Sequence, residues 1–102
     1  MIKLIVLTVV KELEKDAITL LKKAGLLTWS VINMEGHKQQ TENQLENNWF
    51  SSSHNNVDSV LLFSFTENGK IERLISLLND FNKNADCTSP IKLAVMNVEQ
   101  FI

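Results

Sequence analysis

Cysteine, tyrosine and basic charge are scarce in this sequence. Its 102 residues include one cysteine and no tyrosine, and the formal net charge at pH 7 is −2. A single cysteine excludes an intramolecular disulfide and a cysteine-rich zinc cage. The slight excess of acidic residues leaves no basic stripe of the kind that nucleic-acid-binding proteins carry, so we expect no nucleic-acid partner.

Long hydrophobic runs and targeting signals are also missing. No apolar stretch approaches the roughly 20 residues that a helix needs to cross a bilayer. The sequence opens directly with a strand-like run and shows no cleavage signature, so we expect no signal peptide and a cytoplasmic location. The length predicts a single domain over residues 1–102.

The spacing of apolar residues divides the chain into six elements. Nearly continuous apolar runs indicate buried strands, and apolar residues three and four positions apart indicate amphipathic helices. The predicted elements are strands over 2–10, 27–34, 57–65 and 90–98 and helices over 11–24 and 68–82. Residues 36–56 show neither period and are predicted to form a long polar loop.

The order strand, helix, strand, strand, helix, strand predicts an α+β fold, the ferredoxin-like βαββαβ sandwich. In that topology a four-stranded antiparallel sheet carries both helices on one face, and the first and third strands lie in its centre. These two strands are the most apolar of the four, so the pattern and the topology agree.

The sheet face opposite the helices is also predicted to be apolar, because the central strands have apolar residues at neighbouring positions. A bare apolar face of this size exceeds the few hundred Å² that soluble monomers usually expose. The sequence therefore predicts an oligomer that buries its sheet faces against one another.

Chemistry-bearing motifs are missing from the sequence. We find no nucleophile with a neighbouring histidine and carboxylate, no paired acids, no phosphate-binding loop and no redox cysteine pair. We therefore predict that the protein is not an enzyme.

The first 40 residues combine a strand, a charged helix that ends at Gly25, the pair Ser30-Val31 and the turn EGHKQ at 35–39, followed by the long loop. The match resumes over 57–102, which ends in KLAVMNVEQFI. In this order of features the chain resembles the PII signalling proteins, as a divergent, PII-like relative.

The resemblance implies a compact homotrimer with three projecting loops and ligand clefts between subunits. A small cytoplasmic ligand at the base of the loop would select one loop conformation and so control a partner protein, such as a membrane transporter. The residues that the resemblance places at the ligand are Ser30, Gly36, His37, Lys38, Gln39, Cys87, Thr88 and Ser89.

The departures from the family concern phosphate binding. Classical members cradle ATP with a glycine-rich, lysine-bearing loop before the last strand, whereas residues 84–90 contain neither glycine nor lysine. No arginines follow the last strand, and the tyrosine that is uridylylated in enteric members is missing. We therefore expect AMP or ADP, rather than ATP, to be the adenine nucleotide that binds.

Trp49 and Phe50 are two large aromatic residues within a run of asparagine, glutamine and serine that cannot build its own core. Aromatic anchors flanked by polar groups are typical of partner-binding segments. We predict that these two residues bind the partner in an otherwise poorly ordered loop; the alternative is that their rings pack on the trimer body.

Two further functions remain open at this level. The first is a metal-tolerance trimer resembling CutA or efflux-associated PII-like proteins, which would use His37, His54 or Cys87. Their spacing shows no local ligand motif, and we predict no metal site. The second is a small ferredoxin-like enzyme of the dimeric monooxygenase kind, against which the missing catalytic groups count.

Overall fold

Four strands and two helices follow one another in the predicted βαββαβ order. A computed structural model describes residues 2–37, 56–84 and 90–102. The strands are β1 (Ile2–Val10), β2 (Ser30–His37), β3 (Asn56–Glu67) and β4 (Lys92–Asn97), and the helices are α1 (Glu14–Lys23), preceded by a 3-10 turn over Lys11–Leu13, and α2 (Asn68–Asn84).

The strands form one antiparallel sheet in the order β2-β3-β1-β4. The most apolar strands, β1 and β3, lie in its centre, as predicted from their hydrophobicity. β1 pairs with β3 along its whole length, from Ile2 opposite Glu67 to Val10 opposite Ser59. The α+β, ferredoxin-like fold predicted from the sequence is therefore confirmed.

Several element boundaries differ from those predicted. β2 begins at Ser30, three residues later than expected, and β4 begins at Lys92, so Pro90 precedes the strand instead of opening it. Before β2 the chain is held by a tertiary contact, because the Ser64 hydroxyl donates a 2.7 Å hydrogen bond to the carbonyl of Thr28. Apolar spacing cannot show such contacts, since it reports burial and not pairing.

The core lies between the two helices and one face of the sheet. α1 contributes Ala17, Leu20 and Leu21, and α2 contributes Ile71, Leu74 and Leu78. Facing them are buried residues of the central strands, Ile5, Leu7, Val9, Val60 and Leu62. The predicted apolar faces of the helices are thus the buried ones, except that Ile75 remains 40% exposed.

The end of α1 is fixed by a left-handed residue and by the second helix. Gly25 has φ +91°, a conformation that glycine adopts without a steric penalty. Arg73 of α2 donates a 2.8 Å hydrogen bond from Nε to the carbonyl of Lys23, one of the carbonyls that a helix end leaves unpaired. These contacts set where α1 stops and tie it to α2.

The face of the sheet away from the helices, here called the outer face, is apolar. Residues paired directly across an antiparallel sheet share a face, so the register identifies its members. They include Leu4, Val6, Val10, Ile32, Met34, Leu61, Phe63, Phe65, Ala94 and Met96. All of these side chains are half-buried or exposed, which confirms that the central strands are apolar on both faces.

Candidate functional site

The segment predicted to form the long loop is flanked by a two-stranded stem. β1 ends where Val10 pairs with Ser59, but β2 and β3 continue beyond it through residues 35–37 and 56–58. The last pair of this stem is His37 opposite Asn56. The predicted loop boundaries of 36 and 56 are therefore slightly too wide, because Gly36, His37 and Asn56 belong to strands.

The stem carries a solvent-exposed contact between two polar side chains. The Nε2 atom of His37 lies 3.4 Å from Oε1 of Glu35, and Asp58 stands opposite Glu35 on the neighbouring strand. Both members of the His37–Glu35 pair are more than half exposed, at 65% and 55%, so the pair contributes little to stability. Among residues 2–37, 56–84 and 90–102, no three histidine, cysteine or acidic side chains come together as a metal site would require.

Ser30 lies on an edge strand, as expected, opposite Phe63 and therefore on the outer face. Gly36 lies six positions further along the same strand, which at about 3.3 Å per residue amounts to roughly 20 Å. β4, which follows the 84–90 connection, forms the opposite edge of the sheet. Within one chain, Ser30 and Gly36 therefore do not come together.

The other predicted site residues lie outside the described part of the chain. They are Lys38, Gln39, Cys87, Thr88 and Ser89 of the ligand set, Trp49 and Phe50 of the partner-binding set, and His54 of the metal alternative. The roles assigned to these residues from the sequence therefore remain predictions.

An unpredicted pair, Thr8 and Lys92, interrupts the apolar outer face. Thr8 is 4% exposed, and its Oγ1 has no hydrogen-bond partner among residues 2–37, 56–84 and 90–102. Lys92 pairs directly with it across β1 and β4, so both side chains lie on the same face, with Cβ atoms about 5 Å apart. A buried hydroxyl without a partner is costly. A lysine at the paired position can bring a positive charge to the same region of the face, and a hydroxyl with such a charge suits an oxyanion.

The position of this pair relates it to the loop. β1 and β2 end, and β3 and β4 begin, at the same end of the sheet, which we call the loop end. There Lys11 is already engaged, since its Nζ donates to Oδ1 of Asn33 at 2.8 Å and lies 3.8 Å from Glu14. No acceptor in the described part of the chain pairs with the Lys92 ammonium.

The sequence contained a signal for this pair. Thr8 is the one polar residue inside the apolar run IVLTVV, and Lys92 is the one charged residue of the last strand. Only the register of β1 with β4 places them side by side.

No protein-family model and no curated protein sequence matches the chain. Solved structures do match its fold. The nitrogen regulatory PII-like protein CPII from Thiomonas intermedia K12, whose structure was solved bound to ADP, AMP and bicarbonate, has a TM-score of 0.62 at 11% identity over 99% of this chain and 96% of its own.

Two further structures extend this likeness. A PII-like signalling protein from Thermus thermophilus matches with a TM-score of 0.60 at 15% identity, over 95% of this chain and 86% of its own. A DUF3240 family protein from Shewanella baltica OS155 matches with a TM-score of 0.67 at 16% identity, over 98% and 92%. The resemblance to PII-like proteins predicted from the sequence is thus confirmed for the fold.

Proposed function

We propose that this protein is a PII-like regulatory trimer that binds a small anionic ligand, an adenine nucleotide such as AMP or ADP, at clefts between its subunits. Ligand binding at the loop end of the sheet then controls a partner protein through the long loop. The proposal assigns the chain a regulatory role and no catalytic one. Its central observation is that the buried Thr8 hydroxyl has no hydrogen-bond partner among the described residues, while Lys92 pairs with Thr8 across β1 and β4 on the same face of the sheet.

The ligand class follows from the chemistry of this pair. An ammonium group and a hydroxyl together offer a positive charge and a short-range donor, which suit a phosphate or carboxylate oxygen. The likeness to CPII, with its ADP, AMP and bicarbonate, supports an adenine nucleotide. Because the 84–90 connection lacks the glycines of a triphosphate cradle, the nucleotide with fewer phosphates is favoured.

Assembly into a trimer is supported by two features of the sheet. The outer face exposes large apolar side chains, among them Ile32 at 50%, Phe65 at 46% and Met96 at 43%. Ser30 and Lys92 also lie on opposite edge strands, with β3 and β1 between them, so roughly 14 Å of sheet separates them within one chain. Packing of subunits would cover the apolar face and bring opposite edges together at shared clefts.

Signal transfer is assigned to the stem and the loop it carries. A ligand bound at the loop end contacts the region from which the stem projects, and it can favour one arrangement of the loop by its differential affinity. The partner in this proposal is a cytoplasm-facing protein such as a membrane transporter, contacted through Trp49 and Phe50. Neither helix within the described residues has the length and hydropathy of a bilayer-crossing segment.

Isothermal titration of the full-length protein with ADP tests the site. Lys92→Ala should weaken ADP binding by roughly 10-fold or more, because a charge-assisted hydrogen bond contributes about 1.5–3 kcal/mol. Lys3→Ala is the matched control, since Lys3 is also a half-buried strand lysine but lies on the helix-facing side of β1. It should leave ADP affinity unchanged.

Thr8→Val provides a second test, in which ADP affinity should fall although the stability of the ligand-free protein does not. Valine has nearly the same shape and removes an unpaired buried hydroxyl, so the ligand-free protein should be as stable as the wild type or more stable. ADP affinity should nevertheless fall. Wild-type affinity in both Lys92→Ala and Thr8→Val, or no ADP binding by the wild type, would overturn the proposed site.

A further inference from the structure

Asn82, near the end of α2, holds the chain just before β4 with two hydrogen bonds. Its Nδ2 donates to the carbonyl of Ile91 at 3.0 Å, and its Oδ1 accepts from the N–H of Ile91 at 3.0 Å. One side-chain amide thus satisfies both backbone groups of a residue, as a neighbouring strand would.

This contact matters because, among the described strands, β4 lies at an edge of the sheet and pairs with β1 alone. Its pairing with β1 begins at Lys92 opposite Thr8, so Ile91 lies one residue beyond the ladder. The side chain of Ile91 is 3% exposed, and its backbone would lack partners there without Asn82. Asn82 therefore extends the fixed part of the chain to the residue that precedes Lys92.

The consequence concerns the face of the sheet on which the Lys92 side chain lies. A slip of one residue in strand register moves every side chain of that strand to the other face of the sheet. The first residue of an edge strand is also the one most prone to fray. By fixing the Ile91 backbone, Asn82 opposes both movements and keeps Lys92 on the face of Thr8.

Asn82 has no role in ending α2 that would explain the contact otherwise. The helix continues through Asn84, and the nitrogen and the oxygen of the Asn82 side-chain amide both bond to Ile91, nine residues further along the chain. An apolar side chain at this half-buried position would add to the core without making these bonds.

We infer that Asn82 is a positioning residue for the anion site, acting through the backbone of Ile91 to hold Lys92 beside Thr8. This inference rests on the proposed function. It assigns to α2 a part in ligand affinity although the helix itself does not line the site.

A double-mutant cycle on the full-length protein tests this inference, with ADP as the probe in calorimetry. Asn82→Ala should weaken ADP binding about threefold to tenfold, and it should cause almost no further loss in a Lys92→Ala background, because both changes act on the same contact. Asn79→Ala, an exposed asparagine of the same helix, is the control and should leave ADP affinity unchanged.

A purely structural role would give a different result. It would lower the melting temperature of Asn82→Ala and leave its ADP affinity like that of Asn79→Ala, or it would add fully to the effect of Lys92→Ala; either outcome overturns the inference. Wild-type ADP affinity in Lys92→Ala would instead refute the proposed site itself. If Asn82→Ala does not fold, Asn82→Gln gives the same readout, since it keeps the amide but displaces it by one methylene.

Discussion

The ring of Phe101 meets the ring of Phe65 edge to face, with centroids 5.1 Å apart and planes inclined by 62°. Phe65 belongs to β3 and Phe101 follows β4, and β1 lies between these two strands in the sheet. The chain after β4 therefore turns back across the outer face. Phe65 and Phe101 remain 46% and 58% exposed, respectively. Their contact therefore adds an aromatic side chain to the outer face and leaves that face open to solvent.

The apolar outer face predicts a trimer that depends on Phe65. Phe65→Ser should shift the assembly toward monomers in light scattering at micromolar concentration, because it removes a large apolar contact from the proposed interface. Ile75→Ser is the matched control: Ile75 is similarly exposed, at 40%, but lies on α2 on the opposite side of the sheet. A stable wild-type monomer at that concentration would contradict the prediction.

Among adenine nucleotides, ATP should bind no more tightly than ADP. The 84–90 connection offers no glycine backbone and no lysine for a third phosphate, so the additional charge gains no additional donor. Calorimetry with AMP, ADP and ATP under the same salt conditions measures the order directly. Low-micromolar ATP affinity that exceeds the affinity for ADP would show that another part of the chain binds the terminal phosphate.

Trp49 and Phe50 are predicted to be partner anchors. Changing both to alanine should leave the assembly and its melting temperature unchanged, while partner binding weakens by at least the roughly 2 kcal/mol that defines a hot spot. The measurement is affinity capture and titration of a partner protein with the wild type and the double variant. Loss of several degrees in melting temperature with normal partner binding would identify the two rings as structural.

Two glycines should respond to alanine in opposite directions. Gly25→Ala should cost about 1 kcal/mol of unfolding free energy because φ is +91°, although its new Cβ would approach only Cε of Lys70, at 3.9 Å. Gly69→Ala should stabilise the protein by up to about 1 kcal/mol, since Gly69 lies in α2 and its Cβ would meet nothing within 4 Å. Urea unfolding at a fixed protomer concentration measures both; equal signs would contradict the argument.

The fold could be predicted because each of its decisive features is local. The apolar run of β1 and the helical spacing in α1 and α2 report burial directly, and Gly25 marked the end of α1. The ends of β2 and β4 were less well predicted. They depend on contacts such as those of Ser64 with Thr28 and Asn82 with Ile91, which join residues 36 and nine positions apart.

The candidate site was only partly predictable, for the same reason. Ser30 was correctly placed on an edge strand, because strand order follows from the βαββαβ pattern. Gly36 and His37 were predicted to lie within the loop but belong to the paired stem of β2 and β3. Thr8 and Lys92 were not recognised, since each alone looks like an ordinary strand residue. They become a pair only when β1 and β4 align in one register.

The sequence by itself determined the fold class, the central place of β1 and β3 and the apolar character of both sheet faces, because hydrophobic periodicity depends on neighbours within a few residues. Tertiary structure alone decided which side chains meet across the sheet. Thr8 and Lys92 are 84 positions apart in the sequence, and their pairing follows from strand register, which is set by packing and hydrogen bonding over the whole domain.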